Sequence, residues 1–372
     1  MRERLTMSET ARKAGQGGIC EEMNKKLSFV SDYMEGAHPA ILKRLIETNM
    51  FQTPGYGYDS FSESAKEKIR SACKAPNADV FFLTGGTQTN ATVIDALLKP
   101  YQGVIAASTG HINVHESGAI EAGGHKVLAL PGHNGKLNSE DIDKYVSSYW
   151  ADENFEHMVM PGMVYISQPT EYGTLYSLEE LTKISNICHE KGLQLYVDGA
   201  RLAYALSSKD NDVSLTDLAM LCDAFYIGGT KCGTLFGEAV VFPEHNKVPH
   251  FFAIVKQHGA LMAKGRIAGI QFDTLFTDGL YEAIGKNAIS AAERIREALL
   301  DLGYKLYIDS PTNQIFVVLT KEEKEELSKH VDMGFMENLD EDHSVMRFAT
   351  SWATKEEDVD ELIACLKDLR TR

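Results

Sequence analysis

Three residues of this sequence combine reactive or charged side chains with positions that follow short apolar runs. Asp198 and Arg201 come directly after Leu195-Tyr196-Val197, and Lys231 comes after Ala224-Phe225-Tyr226-Ile227. Both runs are too short for a helix and are β-branched and aromatic enough to be buried strands. In an open α/β sheet, ligands bind outside the carboxyl ends of parallel strands, so the acid, the arginine and the lysine are expected to meet in one crevice. A lysine on a glycine-rich loop, Gly228-Gly229-Thr230-Lys231-Cys232-Gly233, suits an amine held to condense with an aldehyde. An aspartate at the next strand end suits a counter-charge that keeps a pyridine nitrogen protonated. Asp-Gly is also a common turn pair, and Gly-Gly-Thr-Lys alone could be a surface loop. Their joint occurrence, each directly after a buried strand, favours a pyridoxal 5'-phosphate (PLP) site.

The same residues resemble a family. Val197-Asp198-Gly199-Ala200-Arg201 and Gly228-Gly229-Thr230-Lys231-Cys232-Gly233 are similar to the two signatures of the threonine aldolases, within the β-eliminating lyase group. The similarity runs from about Phe29 to the C-terminus. It implies an aspartate-aminotransferase-like α/β fold, PLP fold type I. A mostly parallel seven-stranded sheet would form a large domain, accompanied by a small α+β domain. The boundaries expected on that basis are an N-terminal extension over 1–26, partly disordered, and a segment over 27–52 packing with the small domain. The large PLP-binding domain follows over 53–275 and the small C-terminal domain over 276–372.

Composition agrees with a folded enzyme. The chain has 372 residues, with 44% hydrophobic and 24% charged side chains, enough for two modest domains. No apolar run approaches the length of a membrane span, and the N-terminus lacks the apolar core of a signal peptide. A cytoplasmic location is the expectation. The net charge of −16 disfavours nucleic acid and anionic membrane as partners, and the resemblance implies a small amino acid as substrate. Six scattered cysteines without a C-x-x-C pair fit reduced thiols. The dispersed histidines show no metal-ligand spacing.

Elsewhere, chemistry again gathers at strand ends. Leu27 to Tyr33 reads as a leading strand, with Pro39 opening a helix. Val80 to Leu83 empties into Thr84-Gly85-Gly86-Thr87, a strand–glycine–helix join that suits an anion, though many such joins need glycine only for packing. Gly103 to Ala107 ends before His111. Met163 to Ile166 leads to Ser167-Gln168-Pro169-Thr170-Glu171. Helices are expected near Asn90 to Leu98, over Leu178 to Lys191, and from Phe272 to about Leu302. An Arg347 within the apolar strand Met346 to Ala349 needs a partner, and its fork suits a carboxylate.

The resemblance assigns roles to these positions. Lys231 carries the cofactor, with Asp198 on its ring nitrogen and His111 stacked on the ring. His115 is a weaker candidate than His111, and Glu116 continues the matching segment. Gly86, Thr87 and Thr230 belong to the cofactor, while Arg201 pairs with its ring oxygen, with the substrate carboxylate, or with both. Ser31 and Arg347 hold that carboxylate. Tyr58, with Tyr56 beside it, belongs to the wall of the substrate site. Arg266, or in second place Lys256, reaches the phosphate in a neighbouring subunit of a homo-oligomer, a dimer or tetramer. Many threonine aldolases have a histidine where this chain has Glu171, as a branch of low-specificity bacterial enzymes does. Glu171, His111 through a water, and the cofactor phosphate are therefore the candidates for taking the substrate's hydroxyl proton.

The expected activity is retro-aldol cleavage of L-threonine, L-allo-threonine and other β-hydroxy-α-amino acids to glycine and an aldehyde. Two alternatives stand beside it. One is a PLP enzyme of the same fold acting as a β-eliminating lyase, racemase or aminotransferase, and the other is a non-catalytic relative used as a binding module.

Overall fold

The computed structural model describes residues 26–371. The expectation for the N-terminal extension therefore lies, apart from Lys26, outside the described residues. Among these residues, twelve strands form two sheets. They are β1 (Leu27–Phe29), β2 (Asp79–Leu83), β3 (Gln102–Ala107), β4 (Val127–Leu130), β5 (Met160–Ser167) and β6 (Gln194–Asp198). Then come β7 (Ala224–Gly228), β8 (Glu238–Phe242), β9 (Lys305–Ile308), β10 (Gln314–Thr320), β11 (Val331–Asn338) and β12 (His343–Ala349). The seven-stranded sheet has the order β2-β8-β7-β6-β5-β3-β4 and the five-stranded sheet the order β1-β11-β12-β10-β9.

Sequence composition explains the first sheet. β7 and β8 are buried at every residue, and β5 at every residue after its first. Strands covered on both faces by helices read as continuous apolar runs, the mark of a parallel sheet. Parallel pairing holds from β7 through β6, β5 and β3 to β4. β8 runs antiparallel to both β2 and β7. Its amino end therefore lies at the same edge as the carboxyl ends of the others.

Local signals set the helices. Ser177 and Glu180 form a capping box before the helix Leu178–Lys191, and Gly192 closes it with φ +69°. Asn138 caps the helix Ser139–Ala151. The helix Leu280–Asp301 spans both cores. Ile284, Ala288 and Ile289 join the core under the large sheet. Ile295 and Leu299 join the core under the small one.

Four expectations are corrected. The leading strand ends at Phe29, so Ser31 lies beyond the sheet. The helix expected from Asn90 begins earlier, at Gly86. The helical stretch from Phe272 to Leu302 is interrupted between Leu275 and Leu280, where Asp278 and Gly279 take φ of 52° and 70°. β11 was not anticipated at all, and it pairs with β1 in parallel and with β12 antiparallel. No helix among the described residues is long and apolar enough to cross a membrane. No group of three or more His, Cys, Asp or Glu side chains placed to hold a metal occurs among them either.

Candidate active site

The ends of β6 and β7 approach closely because glycine permits it. A Cβ on Gly199 would lie 2.0 Å from the Tyr226 carbonyl oxygen, and one on Gly228 would lie 2.3 Å from the Ala200 carbonyl oxygen. Larger residues would drive the two loops apart. With both glycines in place, Asp198 and Lys231 line one cavity of about 260 Å³. The lysine loop is pinned by amides of Gly229 and Thr230 donating to the Gly237 carbonyl, at 3.1 Å each. The Tyr204 hydroxyl donates to the Lys231 carbonyl at 2.5 Å. Burial, seconded by the Arg201 charge, lowers the Lys231 amine below the usual lysine range, against the pull of Asp32, Asp198 and Glu238.

Asp198 is buried and fully engaged. It accepts hydrogen bonds from the Tyr165 hydroxyl at 2.6 Å, the Asn90 amide at 3.1 Å and the Ala200 N–H at 2.9 Å, and from Tyr226. Burial alone would raise its pKa. The His111 charge and the donors from Tyr165, Tyr226 and Ala200 outweigh that and hold it below the usual carboxylate range. The acid is therefore kept ionised, as a counter-charge must be.

His111 is fixed through Nδ1, 2.7 Å from Oε1 of the buried Glu116. The same oxygen takes a hydrogen bond from Asn90, so His111 and Asp198 share a support. Glu171, in the loop after β5, meets the His111 backbone rather than its ring. Its Oε1 accepts from the Ser167 hydroxyl at 2.7 Å and the His111 N–H at 2.9 Å. Burial raises the Glu171 pKa, with Asp198 adding repulsion and the Ser167 and His111 donors opposing. Gly86 and Thr87 line the cavity where the helix Gly86–Leu97 starts, and no side chain caps that helix.

Arg201 is held by Asp32 in a two-pronged pair, Nε to Oδ2 at 2.6 Å and Nη2 to Oδ1 at 3.1 Å, while Asn313 donates to Oδ2 at 2.9 Å. Burial works against the Asp32 charge, but Arg201 and Lys231 bring its pKa down to about 2. A partner within the chain was not part of the sequence expectation for Arg201. Arg347 lines an adjoining cavity of about 570 Å³, together with Glu171, His111, Lys231 and Tyr33. Its guanidinium donates to the Gln314 side chain at 2.9 Å and the Val30 carbonyl at 2.7 Å, while its buried Nε has no partner.

Not every expected residue converges. Ser31 is buried between Val30 and Asp32 but lines neither cavity. Tyr58 is exposed and packs on Phe252, and with Tyr56 it lines a separate hollow. Arg266 donates to the carbonyls of Thr48 and Phe51, and Lys256 lies over the Tyr56 ring. Within one chain these residues stand apart from Lys231, because the loop Thr53 to Asp59 folds against the segment around Gly265, whose Cβ position is 2.5 Å from the Gly57 nitrogen. Sequence reasoning missed Asp32, Tyr33, Asn90, Tyr165, Tyr226 and Glu238. The available signal was polar groups inside apolar strands, as with Glu238 opening Glu-Ala-Val-Val-Phe.

The donor set fits PLP. A buried amine of lowered pKa, an ionised acid on the neighbouring strand and an uncapped helix start between glycine and threonine match its aldehyde, ring nitrogen and phosphate. Aspartate aminotransferase of Thermus thermophilus superposes with a TM-score of 0.68 at 13% identity, over 97% of this chain and 94% of that one, a likeness of fold alone. Fold and site together define a PLP-dependent enzyme of fold type I. The chain belongs to the beta-eliminating lyase family, which matches residues 28–350. Among its relatives, a threonine aldolase from Leishmania major superposes with a TM-score of 0.89 at 44% identity, covering 92% of this chain and 99% of that one. A low-specificity L-threonine aldolase from a Pseudomonas species is 29% identical over 343 residues, 91% of this chain and 96% of the relative.

Proposed function

We propose that this protein cleaves β-hydroxy-α-amino acids, L-threonine and L-allo-threonine among them, to glycine and an aldehyde. The observation that carries this reading is Glu171, a buried acid of raised proton affinity on the wall shared by the two cavities. Such a group can take the proton of a substrate hydroxyl and give it back. Transamination and racemisation need no acceptor for a side-chain hydroxyl.

PLP, when bound, supplies an electron sink for the pair released at Cα. Lys231 would hold the cofactor through its aldehyde, a task the lowered pKa of the amine supports. Asp198 balances the protonated ring nitrogen. His111, tied to Glu116, is the stacking partner for the ring. Gly86, Thr87 and Thr230 receive the phosphate. Arg347, which lines the larger cavity, takes the substrate carboxylate, and Ser31 beside Val30 assists it. The Asp32 pair occupies Nε and Nη2 of Arg201, so Nη1 is the prong left for the cofactor's ring oxygen or the carboxylate. Fixing the carboxylate orients the bond to be broken. Tyr58 and Arg266, with Lys256, serve the site of a neighbouring subunit in a homo-oligomer.

Product analysis tests the reading. The PLP-loaded protein is expected to release glycine and acetaldehyde from L-threonine or L-allo-threonine. Pyruvate from serine or cysteine, without acetaldehyde from threonine, would assign it to β-elimination instead. A PLP-loaded protein with no product from any amino acid would be a binding module.

A further inference from the structure

Glu238 opens β8, the one antiparallel strand of the large sheet, and its neighbours make its position unusual. It is the register partner of Leu83 on one side and Gly228 on the other. Leu83 leads into the turn before the Gly86 helix start, and Gly228 leads into the lysine loop. The Glu238 side chain lies in the cavity between those two places and is buried. Its Oε2 accepts the Gly229 N–H at 2.9 Å. The Thr230 hydroxyl supports the same carboxyl group.

The charges around the cavity do not balance if every acid is ionised. Asp32 has Arg201, Glu116 has a hydrogen bond with the His111 ring, Asp198 has two tyrosine hydroxyls and two N–H donors, and Glu171 has the Ser167 hydroxyl and the His111 backbone N–H. Glu238 has one amide and one hydroxyl, and it forms no ion pair among the described residues. The titratable groups around it are Lys231, Asp198, Tyr226, Tyr196, Tyr281 and Cys232. Only the first of these is a cation. A phosphate brought to the Gly86 helix start adds further negative charge to the cavity that the buried Glu238 carboxyl also lines, where repulsion is weakly screened.

We propose, on the reading that the cavity holds PLP, that Glu238 is its positioning residue. As the uncharged acid it clamps the loop that carries Lys231 and leaves the phosphate undisturbed, and as the carboxylate it expels the phosphate. Burial, with Asp198 adding repulsion, already pushes the Glu238 pKa up to about 7, against the donors from Thr230 and Gly229 and the attraction of Lys231. The sign follows from linkage: the phosphate-bound state prefers the proton, so cofactor affinity is full below that pKa and falls as pH rises through it.

The test is the dissociation constant of PLP, followed by visible absorbance as the full-length apoprotein is titrated from about pH 6 to about pH 9. Wild-type affinity is expected to fall across this range by about tenfold more than that of Glu238→Gln, which keeps an acceptor for Gly229 but carries no charge. Glu238→Ala, lacking the clamp, is expected to bind weakly at every pH. Equal pH slopes for wild type and Glu238→Gln overturn the proposal, and so does a Glu238→Gln protein as weak as Glu238→Ala at about pH 6. If none of the proteins takes up PLP with a visible band, the cofactor reading fails first and this inference falls with it.

Discussion

The floor and the roof of the site are built on opposite terms. On the floor, at the carboxyl edge of the large sheet, Asp198 has its oxygens filled by Tyr165, Tyr226, Asn90 and Ala200. His111 is locked by Glu116. On the roof, contributed by the five-stranded sheet, the buried Nε of Arg347 has no partner. A buried donor without an acceptor costs roughly 1–3 kcal/mol, and the same side chain lines the cavity of about 570 Å³. Asp198 is thus partnered before any ligand arrives, while Arg347 keeps a donor unpaired. The contrast teaches that cofactor and substrate are handled by separate sheets, so variants should separate their effects.

The largest effect is expected on the floor. Lys231→Ala should abolish both the visible absorbance of the PLP-loaded protein and its turnover. A retained band would show that the amine at the end of β7 is not the point of attachment. At the junction, Glu171→Gln should lower kcat by roughly 10²–10⁴ while leaving the absorbance band and KM nearly unchanged. Full turnover would remove the acid from the reaction, and a lost band would move it to the floor. On the roof, Arg347→Ala should weaken amino-acid binding by about 2–5 kcal/mol with the band intact. An unchanged KM would break the contrast. The smallest effect concerns the strut between the two. Asp32 has a folded-state pKa of about 2, below its ordinary 3.8, so the stability it contributes is present above about pH 4 and is lost as pH falls toward 2. Asp32→Asn should cost about 1–3 kcal/mol near neutral pH and flatten the acid limb of denaturant-unfolding curves. An acid limb as steep as that of wild type would show that Arg201 is held by something else.

Much of the floor was legible in the sequence because it depends on short-range patterns. Lys231 and Asp198 each follow a buried run by a residue or a few, and the sheet edge then brings them together. What escaped was long-range or locally ambiguous. The Arg201–Asp32 pair joins positions 169 apart, and no local pattern links them. β11 reads Val-Asp-Met-Gly-Phe-Met-Glu-Asn, and a register shift between Phe335 and Glu337 disrupts the alternation that would mark a strand. The break at Thr277-Asp278-Gly279 did carry a turn signal, but the apolar periodicity on either side overrode it. The loop with Tyr56 and Tyr58 has its place set by packing rather than by local pattern. Its glycines and tyrosines look like site chemistry, yet tertiary packing turns them toward Phe252 and Lys256 within this chain.

The helix Leu280–Asp301 roots in both cores without interruption over 22 residues. Roof and floor are therefore joined by a stiff beam as well as by loops. Displacing the small sheet against the large one would either bend this helix, breaking backbone hydrogen bonds, or pull its apolar side chains out of one core, so the distance from Arg347 to Lys231 is held firm.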